Sequence, residues 1–294
     1  MSLGGQRIPR VQIAPREFRL LRDLVNDYSG LNFDDDDIHI FDRRLARRVA
    51  ALELGGFDDY YKYLRFALGG KDEIDEAIDL LTTNETYFFR QEYQLRAFRD
   101  EVLPVLADVN QDRRRLNIWS AGCSTGEEVY TIAILVYESR LFDGWDIRIV
   151  GSDISRRSVA AARRGSYQEA SFRAMSEDRR RAYFVREGGS SHIADFIKRN
   201  CHFGQLNLLD ATSAAIVGAM DAVFCRNVLI YFDVRSRRRV IENLHDRLIP
   251  GGYLMLGHSE SLLNVTTAFE LVHLKEDLVY RKPPHVSRWR ARSE

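Results

Sequence analysis

The chain has 294 residues and a mass of 34.0 kDa, and at roughly 100–200 residues per domain this length predicts two domains. Its 43 Lys and Arg residues balance 43 Asp and Glu residues, which argues against a nucleic-acid binder, because that class needs a basic excess. No run of about 18 apolar residues is present, which excludes a membrane-spanning helix, and three widely spaced cysteines form neither a disulfide framework nor a CxxC metal site. We therefore expect a cytoplasmic protein without membrane insertion.

The N-terminal part of the chain has a helical pattern. Residues 1–15 contain two of the six prolines and no periodicity, and they predict a disordered leader. Apolar residues then recur at three- and four-residue spacing in three stripes, each followed by glycine. No strand pattern interrupts them. The sequence predicts a small all-α domain over 16–69 and a linker over 70–82.

The second apolar stripe carries arginines on its other side. They lie at spacings i, i+1, i+4 and i+5, at Arg43, Arg44, Arg47 and Arg48. This pattern predicts a basic helix face, which suits an acidic helical partner. An ordinary solvated face is the alternative.

Strand and helix patterns alternate after residue 83. A helix is predicted over 93–106, and alternating strands and helices follow at 116–121, 126–137, 147–152, 155–164, 201–206, 219–225, 235–248 and 253–257. This alternation indicates an α/β domain with a mostly parallel sheet, and 269–274 with 278–281 predict a closing antiparallel hairpin. The stretch 165–200 fits neither pattern and predicts an inserted subdomain. We assign the domain to 83–282 and a basic tail to 283–294.

The turn after the first predicted strand is glycine-rich. Residues 119–128 read WSAGCSTGEE, in which Gly122 and Gly126 would let a ligand approach the backbone. The G-x-x-x-G spacing differs from G-x-G-x-x-G and disfavours an NAD or FAD site. Glu127 and Glu128 would repel a diphosphate but accept hydrogen bonds from an amine or a ribose. An ordinary tight turn with acidic capping residues is the alternative.

Polar residues follow the next strands. Asp153 ends the second strand, where an acidic side chain typically binds ribose hydroxyls, although it could instead cap the next helix. Asn207 follows the third strand, and Arg226 with Asn227 follows the fourth. Residues at the carboxyl ends of neighbouring parallel strands converge on one cleft. The combination favours a nucleoside ligand without phosphates, of which S-adenosylmethionine (SAM) is the common example, and its cationic sulfonium suits carboxylates.

These motifs together resemble the chemotaxis receptor methyltransferases, the CheR family. The similarity covers residues 16 to 282 and rests on TTNETYFFR at 82–90, WSAGCSTGEE at 119–128, GSDI at 151–154, NLL at 207–209, FCRNVLIYF at 224–232 and GHSE at 257–260. It implies a helical N-terminal domain followed by a Rossmann-like SAM methyltransferase domain, with a small β-subdomain inserted at 165–200.

The resemblance also implies roles for individual residues. The implied cofactor contacts are Asn84, Thr86 and Arg90; Gly122 and Glu128; Asp153 for the ribose; Asn207 and Leu208 flanking the adenine; and Arg226 and Asn227 near the amino-acid end. Arg90 and Tyr231 are the expected catalytic residues, with Tyr231 beside the transferring methyl. Both would orient reactants, because a glutamate with a pKa of about 4.3 is already ionised and needs no general base or metal. We expect His258 to serve a structural hydrogen-bonding role.

The implied reaction methylates glutamate side chains on the cytoplasmic helical bundle of chemoreceptors, giving γ-glutamyl methyl esters and S-adenosylhomocysteine. The enzyme would be recruited to membrane receptor arrays, with the basic helix face recognising the receptor. Some family members also tether to a receptor C-terminal pentapeptide through the β-subdomain. The short loop at 186–192 predicts that this chain does not. The alternatives are a SAM methyltransferase for another protein or small carboxylate, and a non-catalytic SAM-binding adaptor.

Overall fold

The computed structural model describes residues 12–284, which form two compact units. One unit comprises the residues up to Thr83 together with Tyr231–Asp233, and the other comprises the remainder from Asn84. Most of the predicted leader and basic tail lie outside the described residues. The end of the leader is ordered, however, because Ile13 is buried and its N–H donates to Asp42 Oδ1 at 3.1 Å. Within 12–284, no helix is long and apolar enough to cross a membrane.

The first unit is built from helices. They are α1 (Pro15–Ser29), α2 (Ile38–Ala51), α3 (Phe57–Phe66) and α4 (Gly70–Leu81). The apolar stripes read from the sequence form its core, with Phe18, Leu21, Phe41, Leu45, Phe57 and Tyr60 almost fully buried. The antiparallel bridge between Leu31 and Phe232 adds the segment 231–233 to this unit.

Helix α4 replaces the linker predicted over 70–82. Its apolar residues Ile74, Ala77, Ile78 and Leu81 recur at helical spacing and are buried. Gly70 begins this helix instead of ending the preceding one, and a Cβ there would lie 2.5 Å from the carbonyl oxygen of Leu64. The glycine therefore allows α3 and α4 to approach closely, a use that the sequence pattern does not distinguish from a stop signal.

The second unit alternates strands and helices. Its elements are α5 (Glu92–Ala97), a π-helical turn (Phe98–Val102), α6 (Leu103–Val109), β1 (Arg115–Ala121), α7 (Glu127–Ser139), β2 (Asp146–Asp153), α8 (Arg156–Arg164), β3 (Ser166–Tyr167), α9 (Glu177–Tyr183), β4 (Phe184–Glu187), β5 (Ser190–Ile193), α10 (Asp195–Lys198), β6 (Cys201–Gln205), α11 (Ala211–Ala215), β7 (Met220–Cys225), α12 (Val234–Arg247), β8 (Leu248–Leu256), β9 (Glu270–His273) and β10 (Leu278–Arg281).

The main sheet of the described chain has seven strands in the order β6-β2-β1-β7-β8-β10-β9. The first five are parallel, and β10 runs antiparallel to both β8 and β9. The predicted fold class is therefore confirmed. In register, Ser120 of β1 lies opposite Gly151 of β2 and Phe224 of β7, which aligns the carboxyl ends of these strands. The strand order reverses between β1 and β7, where α/β sheets open a crevice for ligands.

The stretch 165–200 carries a separate antiparallel sheet in the order β3-β5-β4. An aromatic cluster joins it to the segment 84–91. Phe88 lies at ring-centroid distances of 4.8 Å from Tyr167, 5.2 Å from Phe172 and 5.0 Å from Phe184. The inserted subdomain thus holds the segment that leads into α5.

Candidate active site

The turn after β1 is fastened to the end of β2. The N–H groups of Gly122 and Cys123 both donate to the carbonyl oxygen of Ser152, at 2.8 and 2.9 Å. The N–H of Ser124 donates to Asp153 Oδ2 at 2.8 Å. Left-handed φ values of +80° at Gly122 and +49° at Ser124 turn these groups toward β2.

The two glycines of this turn pack against protein. A Cβ at Gly122 would lie 2.5 Å from Val228 Cγ2, and one at Gly126 would lie 2.8 Å from the Cβ of Ala162. The space that the missing side chains leave is therefore filled by Val228, in the loop after β7, and by Ala162 of α8. A backbone contact between Gly122 and a cofactor stays a prediction.

Asp153 occupies the carboxyl end of β2 and is 8% exposed. Its Oδ2 accepts from Ser124 and its Oδ1 accepts the N–H of Ser155 at 2.9 Å. The cap of α8 is Ser155, whose side chain accepts from the N–H of Ser158. Asp153 is thus not the helix cap that the sequence left open, and it holds a strand end and a turn together at the crevice.

The adjacent glutamates at the start of α7 have different surroundings. Glu127 is 3% exposed and accepts from the hydroxyls of Thr125 and Ser171, and its burial raises the pKa of the carboxyl. Glu128 Oε1 accepts from Ser120 Oγ at 2.8 Å, and its Oε2 accepts from Arg226. Glu127 therefore joins α7 to the inserted subdomain. Glu128, in contrast, contacts Arg226 in the loop after β7.

Arg226 ties three parts of the site together. Its side chain is only 3% exposed, and it donates to Gln94 Oε1 at 3.0 Å, Glu128 Oε2 at 3.0 Å, the carbonyl of Arg90 at 2.6 Å and Gln91 Oε1 at 2.8 Å. A buried guanidinium with four acceptors fixes the positions of those acceptors, which is a structural role in itself. Its contact with the cofactor stays a prediction.

The segment 84–91 passes beside the glycine turn. The carbonyl of Asn84 accepts from Ser124 Oγ at 3.2 Å, and the half-buried Arg90 donates to the carbonyl of Glu85 at 3.0 Å. Phe89 and Gln91 adopt left-handed φ values of +59° and +58°, which are strained for residues with side chains. Neighbouring strain of this kind clusters at functional sites. Thr86, also predicted to bind the cofactor, is half-buried in the same segment.

The residues after β6 form a compact turn. Asn207 Oδ1 accepts the N–H of Leu209 at 3.0 Å, and the carbonyl of Leu208 accepts from Asn243 Nδ2 at 2.8 Å. Leu208 is 7% exposed. An apolar side chain beside an amide is suited to one face and one edge of a purine, and the adenine role of both residues stays a prediction.

Asn227 is unusual in the loop after β7. It has a left-handed φ of +60°, and its buried Oδ1 accepts no hydrogen bond from any residue within 12–284. A buried acceptor without a donor is destabilising, so such a group in a cleft calls for a ligand or a water. The contact of Asn227 with the cofactor stays a prediction.

Tyr231 belongs to the first unit. Its carbonyl accepts the N–H of Asn32 at 2.8 Å, and its side chain is 40% exposed. The expected position of its ring beside the transferring methyl stays a prediction.

The basic face of α2 is narrower than the sequence predicted. Arg44 donates to the carbonyls of residues 80, 81 and 82 at the end of α4, and Arg48 forms a double hydrogen bond with the buried carboxylate of Glu73. Arg43 and Arg47 are exposed. Two of the four arginines thus stabilise the helical unit, and two present positive charge to solvent.

The residues around the crevice fit SAM. Carboxylates and an unpartnered amide oxygen (Asp153, Glu128 and Asn227) are acceptors, and SAM offers ribose hydroxyls and an ammonium as donors and a cationic sulfonium. A diphosphate would meet acidic groups instead. No cluster of residues suited to a metal ion occurs between residues 12 and 284.

Comparison with known proteins identifies the family. Residues 16–82 match the family model of the CheR methyltransferase all-alpha domain, and residues 84–278 match that of the CheR methyltransferase SAM binding domain. The chain belongs to the CheR methyltransferase family. It is therefore a SAM-dependent methyltransferase, as the sequence resemblance indicated.

Similar CheR proteins span nearly the whole chain. Chemotaxis protein methyltransferase 2 of Vibrio cholerae is 36% identical over 277 residues, covering 93% of this chain and 95% of that protein. Chemotaxis protein methyltransferase 1 of Pseudomonas aeruginosa is 33% identical, covering 91% and 98%. The N-methyltransferase NodS of Bradyrhizobium japonicum superposes with a TM-score of 0.39 at 16% identity over 67% of this chain and 89% of that one, which is too remote to add to the assignment.

The sequence did not indicate the partners that hold this CheR site in shape. Gln94 bonds Arg226 and the carbonyl of Leu256, yet it lies in an ordinary helix pattern. Gln91 contacts His258 through Nε2 and Nδ1, which agrees with the structural role expected for this histidine. Glu260 is the last residue of the GHSE motif, so the sequence singled out this residue but did not indicate which groups its carboxylate binds.

Proposed function

We propose that this protein transfers the methyl group of SAM to glutamate side chains of chemoreceptors, forming γ-glutamyl methyl esters and S-adenosylhomocysteine. The observation that carries the proposal is the similarity, over 93% of the chain, to a chemotaxis protein methyltransferase. The acceptor-lined crevice at the ends of β1, β2 and β7 agrees with it, because it suits a cationic nucleoside.

The bound cofactor supplies a methyl group made electrophilic by the sulfonium. Asp153 accepts hydrogen bonds from the ribose, Asn207 and Leu208 bind the adenine, and the oxygens of Glu128 and Asn227 face the amino-acid end. Asn84 and Thr86 complete the binding set from the segment 84–91.

The substrate glutamate is ionised at neutral pH, since its pKa is about 4.3. It needs alignment with the methyl carbon and removal of water, and no proton has to move. Arg90 attracts and orients this carboxylate, and Tyr231 restricts its approach. Both are positioning roles for a nucleophile that is already charged.

Arg43 and Arg47 on α2 recognise the receptor. Both guanidiniums are exposed, whereas Arg44 and Arg48 are engaged within the helical unit. Exposed positive charge steers an acidic helix and loses its effect as salt screens it. The partner is the helical cytoplasmic part of a chemoreceptor, and the enzyme reaches receptor arrays through this contact without the pentapeptide tether.

Transfer of labelled methyl from SAM to membranes containing chemoreceptors tests the reaction. Alkaline treatment should release the label as methanol, since carboxyl methyl esters hydrolyse in base. Label that resists alkali would place the methyl on nitrogen or sulfur and contradict the proposal. Membranes without receptors are the control.

A charge reversal tests the recognition surface. Arg43→Glu with Arg47→Glu should lower receptor methylation at least tenfold at low salt and leave S-adenosylhomocysteine affinity unchanged. Arg235→Glu, on α12, is the matched control with expected wild-type turnover. Equal receptor methylation by the wild type, the double variant and Arg235→Glu would show that α2 takes no part in receptor recognition.

A further inference from the structure

Consecutive backbone donors in the loop after β7 converge on one side chain. Val228 and Leu229 donate their N–H groups to Glu260 Oε1, at 2.9 and 2.7 Å. Asn227 donates its N–H to Glu260 Oε2 at 2.7 Å. These donors leave the sheet at the end of β7, so without the carboxylate they would need water or another acceptor.

The acceptor capacity of Glu260 is filled. Its Oε2 also accepts the N–H of Gly257 at 2.7 Å, which gives two N–H groups on each oxygen. An ionised carboxylate has about four acceptor positions. Glu260 is therefore not expected to bind a ligand itself, and its contribution must pass through the groups that it holds.

The position of the carboxylate is fixed by its own turn. The N–H of Glu260 donates to the carbonyl of Gly257 at 2.9 Å, which folds the side chain back over the end of β8. A Cβ at Gly257 would lie 2.7 Å from Glu260 Oε2 and 2.9 Å from the nitrogen of Asn227. Only glycine leaves room for this arrangement, so Gly257 and Glu260 act as one unit.

The loop that Glu260 holds carries the unpartnered acceptor of the site. Asn227 adopts a left-handed φ of +60°, a conformation that side-chain-bearing residues disfavour. The next residue, Val228, packs where a Cβ of Gly122 would lie, against the glycine turn. Holding the N–H groups of residues 227–229 therefore fixes the direction of Asn227 Oδ1 relative to that turn.

We infer that Glu260 is a positioning residue for the cofactor, acting through the backbone of residues 227–229. It accounts for the GHSE motif, which the sequence singled out and the chemistry of methyl transfer leaves unused. The inference rests on the SAM-dependent activity and holds whichever carboxylate the enzyme methylates.

The isosteric variant Glu260→Gln tests this role in the full-length chain. One oxygen of the amide still accepts two N–H groups, whereas its NH₂ meets the other two donors. We expect at least tenfold weaker binding of S-adenosylhomocysteine by calorimetry, and at least tenfold faster hydrogen exchange at the amides of residues 227–229. Glu270→Gln, which breaks an exposed pair with Arg281, is the matched control with wild-type affinity.

Binding is measured without receptor, so the result is independent of the substrate. A purely structural role would lower the melting temperature and leave the affinity of the folded protein unchanged, and that outcome would overturn the inference. Wild-type exchange at residues 227–229 would overturn it as well. Glu260→Asp, which keeps the charge but shortens the side chain, serves as the second variant and should weaken binding in the same direction.

Discussion

The loops after β1 and β7 each donate to a carboxylate, which lies at the end of β2 for the first loop and four residues beyond β8 for the second, and they depend on it to different degrees. After β1, two N–H groups donate to the carbonyl of Ser152, and Asp153 accepts the N–H of Ser124 from this loop as well as that of Ser155. After β7, three successive N–H groups donate to Glu260.

The difference follows from the backbone available to each loop. A glycine at φ +80° lets the first loop fold back onto the strand backbone, so its carboxylate is needed for one bond. The second loop uses Asn227 at its left-handed position and depends on a side chain for its donors. It thereby keeps an amide oxygen that glycine would lack.

The largest effect is expected from Gly122→Ala. The added Cβ would meet Val228 and occupy a left-handed conformation, which together should lower the free energy of unfolding by about 2–5 kcal/mol. Gly188→Ala is the control, because its φ is +56° with no atom within 4 Å, and strain alone should cost about 1–2 kcal/mol. Denaturant unfolding measures both.

Adding Val228→Ala to Gly122→Ala removes the atoms that clash and should recover the packing part of the loss. Equal destabilisation by Gly122→Ala and Gly188→Ala would show that the two loops do not pack together as described.

Asp153→Asn should weaken S-adenosylhomocysteine binding about tenfold to hundredfold, because hydrogen bonds to a charged group contribute about 1.5–3 kcal/mol. Calorimetry gives the affinity directly. Asp146→Asn, at the exposed opposite end of the same strand, should bind as the wild type does. Similar affinities for both variants would remove Asp153 from the cofactor site.

Asn227→Gly separates the conformation of the second loop from its side chain. Glycine accepts the left-handed φ, so the free energy of unfolding should stay within about 1 kcal/mol of wild type. Loss of the amide oxygen should weaken S-adenosylhomocysteine binding about threefold to tenfold. Unchanged affinity would mean that Asn227 is present for its backbone conformation alone.

The smallest effect concerns the thiols at the base of each loop, Cys123 and Cys225. Burial raises the pKa of both thiols, so the folded protein keeps them protonated where a free thiol, with a pKa of about 8.5, ionises. This contribution to stability is complete below about pH 8.5 and is lost as the pH rises further. Alkylation of the native protein at pH 8 should be slow at both sites.

Alkylation of Cys123 and Cys225 in the variants described above tests whether the two loops open separately. Glu260→Gln should speed alkylation of Cys225 more than of Cys123, and Gly122→Ala should do the reverse. Equal acceleration of both thiols by either variant would indicate that the loops open together.

The sheet was predictable because strand and helix periodicities alternate clearly and each strand is short and apolar. The position of Asp153 at the end of β2 was predictable because the apolar strand pattern ends there, and its contact with a ribose stays a prediction. Glu260 was not, because a carboxylate that binds backbone N–H groups from a loop distant in sequence leaves no pattern of residue types. Arg44 and Arg48 were misjudged for a related reason, since helical spacing shows which face they occupy but not that α4 lies beside it.

The cofactor footprint tests the central claim, that the loops after β1 and β7 form one SAM site. Hydrogen exchange of the full-length chain is measured with and without S-adenosylhomocysteine. Slower exchange is expected in both 122–126 and 226–229 on binding, with no change in the turn 187–190 between β4 and β5. Protection of one loop without the other, or of neither, would contradict it.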